Sequence, residues 1–216
     1  MRPSSIVALG DACVALRFDA GVDLAVNGAC IAIAASLERQ QLRGVRDVVP
    51  SFDAVTVHFD PLVTDRAALS AQLEALRADV PSWADTLTRV IEVPVVYGGE
   101  AGPDLGDVAA YAGCSAAAVV RLHTQQSYRV FMLGFLPGFA YMGPVEARIA
   151  APRLPTPRLR VPAGAVGIAG MQTGIYPFES PGGWRIIGRT EMKPFDPARA
   201  DPFLFKAGDR VKFVEA

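Results

Sequence analysis

Between residues 12 and 18 apolar side chains alternate (Ala12, Val14, Leu16, Phe18), a two-residue period that predicts a strand although apolar residues also occupy its other face. The period then lengthens. Cys30, Ile33, Ala34 and Leu37 fall on one helical face, Asn27 has a capping side chain and Gly44 an end signal, so a helix is expected over 28–43. Two β-rich runs, 45–49 and 54–59, are separated by Pro50, Ser51, Phe52 and Asp53, a hairpin spacing that turns Val55, Val57 and Phe59 inward. Leu69, Leu73 and Leu76 restore the helical period from Thr64 or Asp65 until Pro81 stops it, and 88–97 is strand-like again. The order β, α, β, β, α, β is that of a ferredoxin-like sandwich. A domain boundary is therefore placed within 82–88, giving an N-terminal domain over 1–86 and a second domain over 87–216.

In the second domain, residues 130–190 are crowded with glycine and proline, yet apolar and aromatic residues such as Val166, Ile168, Ile186 and Ile187 separate them throughout. A flexible linker would be polar. Glycine supplies positive-φ turns and proline fixes φ, so the stretch is expected to form short, packed β-strands joined by shaped turns. Ahead of it, 104–121 scans as helix, Gly-containing turn and second helix capped by Ser115, an outline shared with DNA-reading motifs. The would-be recognition helix carries only Arg121 and His123, too few polar contacts for phosphates and bases, which disfavours nucleic acid as partner.

Composition narrows the classes further. With 51% hydrophobic and 20% charged residues, the 216-residue chain is globular, and a formal charge of −1 gives no general attraction to nucleic acid or anionic lipid. Asp11 interrupts the only early apolar run, and no stretch of spanning length lacks charge or proline, so neither a signal peptide nor a membrane partner is expected. The three widely spaced cysteines, Cys13, Cys30 and Cys114, fit reduced thiols in a cytoplasmic protein. No metal site is expected, because His58 and His123 lie outside any HExxH or Cys/His cluster. GxxxxGK[ST] is absent, and the glycines of 164–170 do not match GxGxxG.

The candidate chemistry lies after residue 120. His123 ends a helix and precedes Gln125, Gln126, Ser127 and Tyr128; it either projects to the loop surface as a proton-transfer group or caps the helix C-terminus. Arg153, Arg158 and Arg160 stand among prolines, where rigid guanidinium forks suit carboxylate or phosphate, or else pair with surface acids such as Glu146. Gln172, Thr173, Tyr176 and Ser180 are neutral hydrogen-bonding groups, and Gly182 and Gly183 offer amides for an anion nest. Together they suggest an amide or carboxylate pocket, with Phe135, Phe139 and Trp184 as core or pocket wall.

The segments RLHTQQSYRVFMLGFLPGFAYMG and PRLPTPRLRVPAGAVGIAGMQTGIYPFESPGGWRIIGRT, which cover 121–190, closely resemble the family of 5-oxoprolinase B subunits, together with VHFDP at 57–61. That family also includes KipI, the sporulation kinase inhibitor, and proteins labelled allophanate hydrolase subunit one. The resemblance implies an α+β chain, with a ferredoxin-like N-terminal domain followed by a cyclophilin-like β-barrel, similar to the carboxyltransferase domain of urea carboxylase. It implies partners, homologues of the C and A subunits, and use of ATP by the complex to activate the lactam of 5-oxoproline for opening to L-glutamate. On that basis Arg153 and Arg158 are expected to hold carboxylate or phosphate, Gln172, Thr173 and Tyr176 to orient the amide, and His123 to transfer protons. Ser180, Gly182 and Gly183 complete the substrate set. Two further functions stay open: a KipI-like inhibitor of a sensor histidine kinase, and a urea or amide carboxyltransferase component. One departure is visible, since Ala165 stands where the family commonly has Ser in PAGSVGIAG.

Overall fold

The computed structural model describes residues 3–18, 20–78 and 89–216, which divide between two compact units, Met1–Leu87 and Thr88–Ala216. The expected boundary within 82–88 lies outside the described residues.

The first unit is a four-stranded antiparallel sheet of β1 (Pro3–Ala8), β2 (Cys13–Phe18), β3 (Val45–Pro50) and β4 (Ala54–Phe59), in the order β1-β2-β4-β3. Helix α1 (Leu24–Gln40) follows β2, and α2 (Arg66–Ala78) follows β4. Leu16, Ile33, Leu37, Val55, Val57, Leu69 and Leu73 form one buried cluster, so the apolar periods seen in the sequence meet in a shared core. The helix start differs from expectation. Asp23, not Asn27, caps α1 by accepting the Val26 N–H at 2.9 Å. Asn27 lies within the first turn, buried, and its side-chain amide donates to the Ser51 carbonyl, a tertiary bond that competes with capping.

The βαββαβ order is also corrected. β1 adds a strand at the start, and the strand expected to close the sandwich, β5 (Val90–Tyr97), pairs in the second unit instead. The described elements of the first unit therefore run ββαββα. The alternation of buried Val93 and Val95 marks β5 as a strand, but its partners, β12 and β13, lie far along the chain.

The second unit is a closed seven-stranded barrel. Its remaining strands are β6 (Ser127–Leu133), β7 (Ala140–Gly143), β9 (Ala165–Ala169), β10 (Gln172–Ile175), β12 (Arg185–Arg189) and β13 (Arg210–Glu215), in the circular order β10-β7-β6-β13-β5-β12-β9. Among the described residues only β13 and β5 pair in parallel in this barrel. Val95, Val130, Met142, Ile168, Ile187 and Phe213 fill the interior. Helices α3 (Leu105–Ala112) and α4 (Ala116–Thr124) meet at 90°, and α4 turns Val119, Val120 and His123 into the core, the face a DNA reader would keep free. A small sheet of β8 (Arg158–Val161) and β11 (Ser180–Gly182) lies outside the barrel ladder. Among the described residues no single helix is long and apolar enough to cross a membrane.

Candidate active site

The β8–β11 sheet and the 133–141 turn enclose a cleft of about 250 Å³. Its floor is aromatic. Phe139, Tyr141, Tyr176 and Trp184 meet edge to face with centroids 4.9–6.5 Å apart, and Phe139, Tyr176 and Trp184 are buried. Such tilted packing suits the ring quadrupoles and fixes each ring against its neighbours. Gly182 has a mechanical role: a Cβ there would lie 2.4 Å from the Tyr176 Oη, so only glycine lets the phenol lie against β11. The expected anion nest does not form, because neither Gly182 nor Gly183 has the positive φ that a nest alternates.

Arg153 is the charged residue of the cleft wall, and among the described residues no carboxylate lies within ion-pair reach of it. Glu146, the sequence's candidate partner for these arginines, instead caps the short turn at Ala147–Ile149 by accepting the Arg148 N–H. Burial raises the pKa of the Tyr176 hydroxyl, against the opposing pull of the Trp184 backbone N–H and of Arg153 and Arg158, so the phenol retains its proton. At neutral pH the cleft thus presents a neutral phenol donor beside a guanidinium.

Arg158 behaves differently from expectation. Its Nη2 donates to Asp104 Oδ1 at 2.6 Å, while Asp104, almost wholly buried, accepts the Ile186 N–H on its other oxygen at 2.6 Å. The cation is already neutralised and ties β8 to α3 and β12. One of its nitrogens, Nη1, is buried without a hydrogen-bond partner, as is the Ser180 Oγ on the paired strand.

His123, Gln172 and Thr173 lie elsewhere. Rather than reaching a loop surface, His123 is fully buried in the barrel, stacked on Phe213 at 4.6 Å, with Nδ1 2.7 Å from the Tyr97 hydroxyl and Nε2 2.9 Å from Thr173 Oγ1. Burial pushes its pKa down to about 3, so it stays neutral. Thr173 is equally buried and donates to the Gly167 carbonyl at 3.0 Å. Gln172 opens β10, paired with Ala169 rather than lining the cleft. Ala165, the departure from the family pattern, is completely buried. Sequence reasoning missed Tyr141 and Pro157, which line the cleft, and Asp104, which anchors Arg158.

A second cleft of about 290 Å³ is lined by Pro94, Val96, Met192 and the oppositely charged Arg189 and Glu191. It has comparable volume, but its charges offset each other and its walls are aliphatic. Chemistry, not size, makes the aromatic cleft the candidate site. Among the described residues no group of three or more His, Cys, Asp or Glu is placed to hold a metal.

The carboxyltransferase domain family, subdomain C and D, matches residues 4–205. The chain is 42% identical to the 5-oxoprolinase B subunit of Bacillus subtilis (strain 168), over 95% of this chain and 90% of that one. It is 40% identical to the 5-oxoprolinase B subunit of Escherichia coli O157:H7, over 99% and 97% respectively. The solved structure of TTHA0988 aligns with a TM-score of 0.85 at 42% identity; it covers 94% of this chain, which spans 40% of that longer one. Near-complete coverage of the curated relatives, with a closed barrel in the matched segment, leads to one conclusion: the chain belongs to the carboxyltransferase subdomain C and D family, alongside the B subunits of 5-oxoprolinases.

Proposed function

We propose that this chain is the B subunit of an ATP-dependent 5-oxoprolinase, and that the aromatic cleft of the barrel binds the lactam. What supports the activity is the extent of its similarity to subunits of that name. The observation that carries the site is Arg153, a guanidinium without an acid partner among the described residues, set beside a phenol donor on an aromatic floor. Those are the groups a small cyclic carboxylate requires. Arg153 takes the carboxylate, the rings cover the apolar face of the lactam, and the Tyr176 O–H reaches the lactam oxygen.

Opening the ring adds water to the carbonyl carbon, breaks the C–N bond and moves a proton to nitrogen, giving glutamate. An unstrained amide resists this because its carbonyl is a poor electrophile. A hydrogen bond and a fixed positive charge near the oxygen stabilise the charge that develops there. The cleft does not fit ATP itself, since a triphosphate needs several cations or a cradle of amides, and among the described residues this wall supplies one guanidinium without an acid partner. ATP is accordingly assigned to the partners, homologues of the C and A subunits, which complete the reaction. The first unit shares with a ferredoxin-like sandwich two helices packed on a four-stranded antiparallel sheet, but its described elements follow one another as ββαββα rather than βαββαβ.

The histidine-kinase inhibitor reading is not favoured, because the curated relatives carry the enzyme's name. The test is 5-oxoproline-dependent ATP hydrolysis with glutamate release by this chain assembled with homologues of the A and C subunits. Turnover supports the function, and a folded complex without it rejects 5-oxoproline as substrate.

A further inference from the structure

The 134–138 turn sets one residue apart from the rest of the cleft. Phe135 has φ of +67°, a region that bulky L-residues avoid, and its side chain is 60% exposed. Holding an aromatic residue there costs free energy, and its exposure rules out core burial as the compensation. Gly138, which follows, also has positive φ, as glycine does at little cost, whereas Gly134, which precedes Phe135, does not. The result of the strain is positional. The phenyl ring stands edge-on to Phe139 at 5.6 Å and to Tyr176 at 6.5 Å, forming the outer wall of the cleft.

The charges are equally one-sided. Among the described residues Arg153 has no acid partner and can take one carboxylate, whereas Arg158 is held by Asp104. The other surfaces of the cleft are rings, proline and glycine. A ligand with a flat ring and a single carboxylate satisfies every group. An open-chain amino dicarboxylate would set a second carboxylate against a wall that, among the described residues, offers it no second unpaired cation, so it loses hydration for at most a phenol hydrogen bond. In a 5-oxoprolinase these are the substrate and the product.

We propose that Phe135 is a specificity-determining residue: with Arg153 it makes the cleft select the cyclic monocarboxylate over the open-chain amino dicarboxylate formed from it, so that product leaves a site built for substrate. The proposal rests on the 5-oxoprolinase reading of the cleft. It assigns the strained backbone at Phe135 a function, since that conformation accompanies a ring set edge-on to Phe139 and Tyr176.

The test uses the assembled enzyme. Equilibrium binding of 5-oxoproline, L-glutamate and cyclopentanecarboxylate is measured for wild type, Phe135→Ala and Phe135→Leu, with turnover of 5-oxoproline followed in parallel. The expected result is that wild type binds both ring acids well above L-glutamate. Phe135→Ala then lowers the ratio of ring-acid to glutamate affinity about tenfold, and Phe135→Leu recovers part of it. If turnover is normal but the ratio is unchanged in Phe135→Ala, the selection is overturned while the function stands. If 5-oxoproline is not turned over but both ring acids still bind in a Phe135-dependent way, the reaction is wrong and the selection holds. Glutamate binding as tightly as the ring acids in wild type overturns the proposal outright.

Discussion

The hydroxyl of Tyr97 lies 2.7 Å from Nδ1 of His123, and the contact on the other ring nitrogen assigns the tautomer. Thr173 spends its single proton on the Gly167 carbonyl, so its oxygen must accept from His123 Nε2–H, leaving Nδ1 to accept from Tyr97. The chain of donors runs one way through the barrel core and needs a neutral imidazole.

Stability should therefore depend on His123. Its folded pKa, about 3, lies below the unfolded value of about 6.5, so the unfolded chain gains a proton first as pH falls. The contribution is fully present above pH ~6.5 and is lost by up to ~1.4 kcal/mol per pH unit below it. Urea unfolding from pH 7 to 5 should show a steeper decline for wild type than for His123→Gln, which cannot titrate. Equal slopes would refute the buried neutral assignment.

Asp104 joins Arg158 and the Ile186 N–H through both carboxylate oxygens. Asp104→Ala should cost about 2–3 kcal/mol, discounted for the partial exposure of Arg158, because a guanidinium and an amide lose their acceptor together. The double variant Asp104→Leu, Arg158→Met should be less destabilised than the sum of its single changes in urea denaturation. Strict additivity would show that the pair is not coupled.

Gly182→Ala brings a Cβ against the Tyr176 phenol, with contacts of 2.4–2.9 Å along its hydroxyl end. Binding of 5-oxoproline by the assembled enzyme should weaken at least tenfold, and Tyr176→Phe in the same background should relieve about 1 kcal/mol of the accompanying instability. A fully stable, fully binding Gly182→Ala variant would place the ligand elsewhere.

Phe135 and Phe139 are two aromatics of one loop with opposite expected behaviour. Phe135→Gly relieves about 1 kcal/mol of backbone strain and loses only edge contacts, so thermal melting should shift little. Phe139→Ala empties a buried position and should cost about 3–5 kcal/mol. Scanning calorimetry separates them, and a large loss for Phe135→Gly would mean that its ring is structural.

Much of the first unit was legible because its signals are local. The 45–59 hairpin and the Leu69, Leu73, Leu76 stripe follow from spacing alone and need no distant partner. The partners of Val90–Tyr97 were not legible, since β13 and β12 lie far along the chain and a strand's alternation is the same in either sheet. Within the site, Arg153, Tyr176, Gly182 and Gly183 could be found because glycine, proline and polar residues cluster around them. His123 could not be placed: the end of a helix looks exposed in sequence, and only barrel closure buries this one. Arg158 was misjudged for a related reason, as Asp104 resembles an ordinary helix cap until the fold sets it beneath β8.

The central claim, that Arg153 holds the carboxylate of 5-oxoproline in the aromatic cleft, is tested most directly by steady-state kinetics of the assembled enzyme carrying Arg153→Ala. ATP hydrolysis and glutamate release should be followed together. The predicted result is that kcat/KM for 5-oxoproline falls about 30-fold or more, with Arg153→Lys intermediate and the melting temperature nearly unchanged. A folded Arg153→Ala enzyme with wild-type kcat/KM would contradict it.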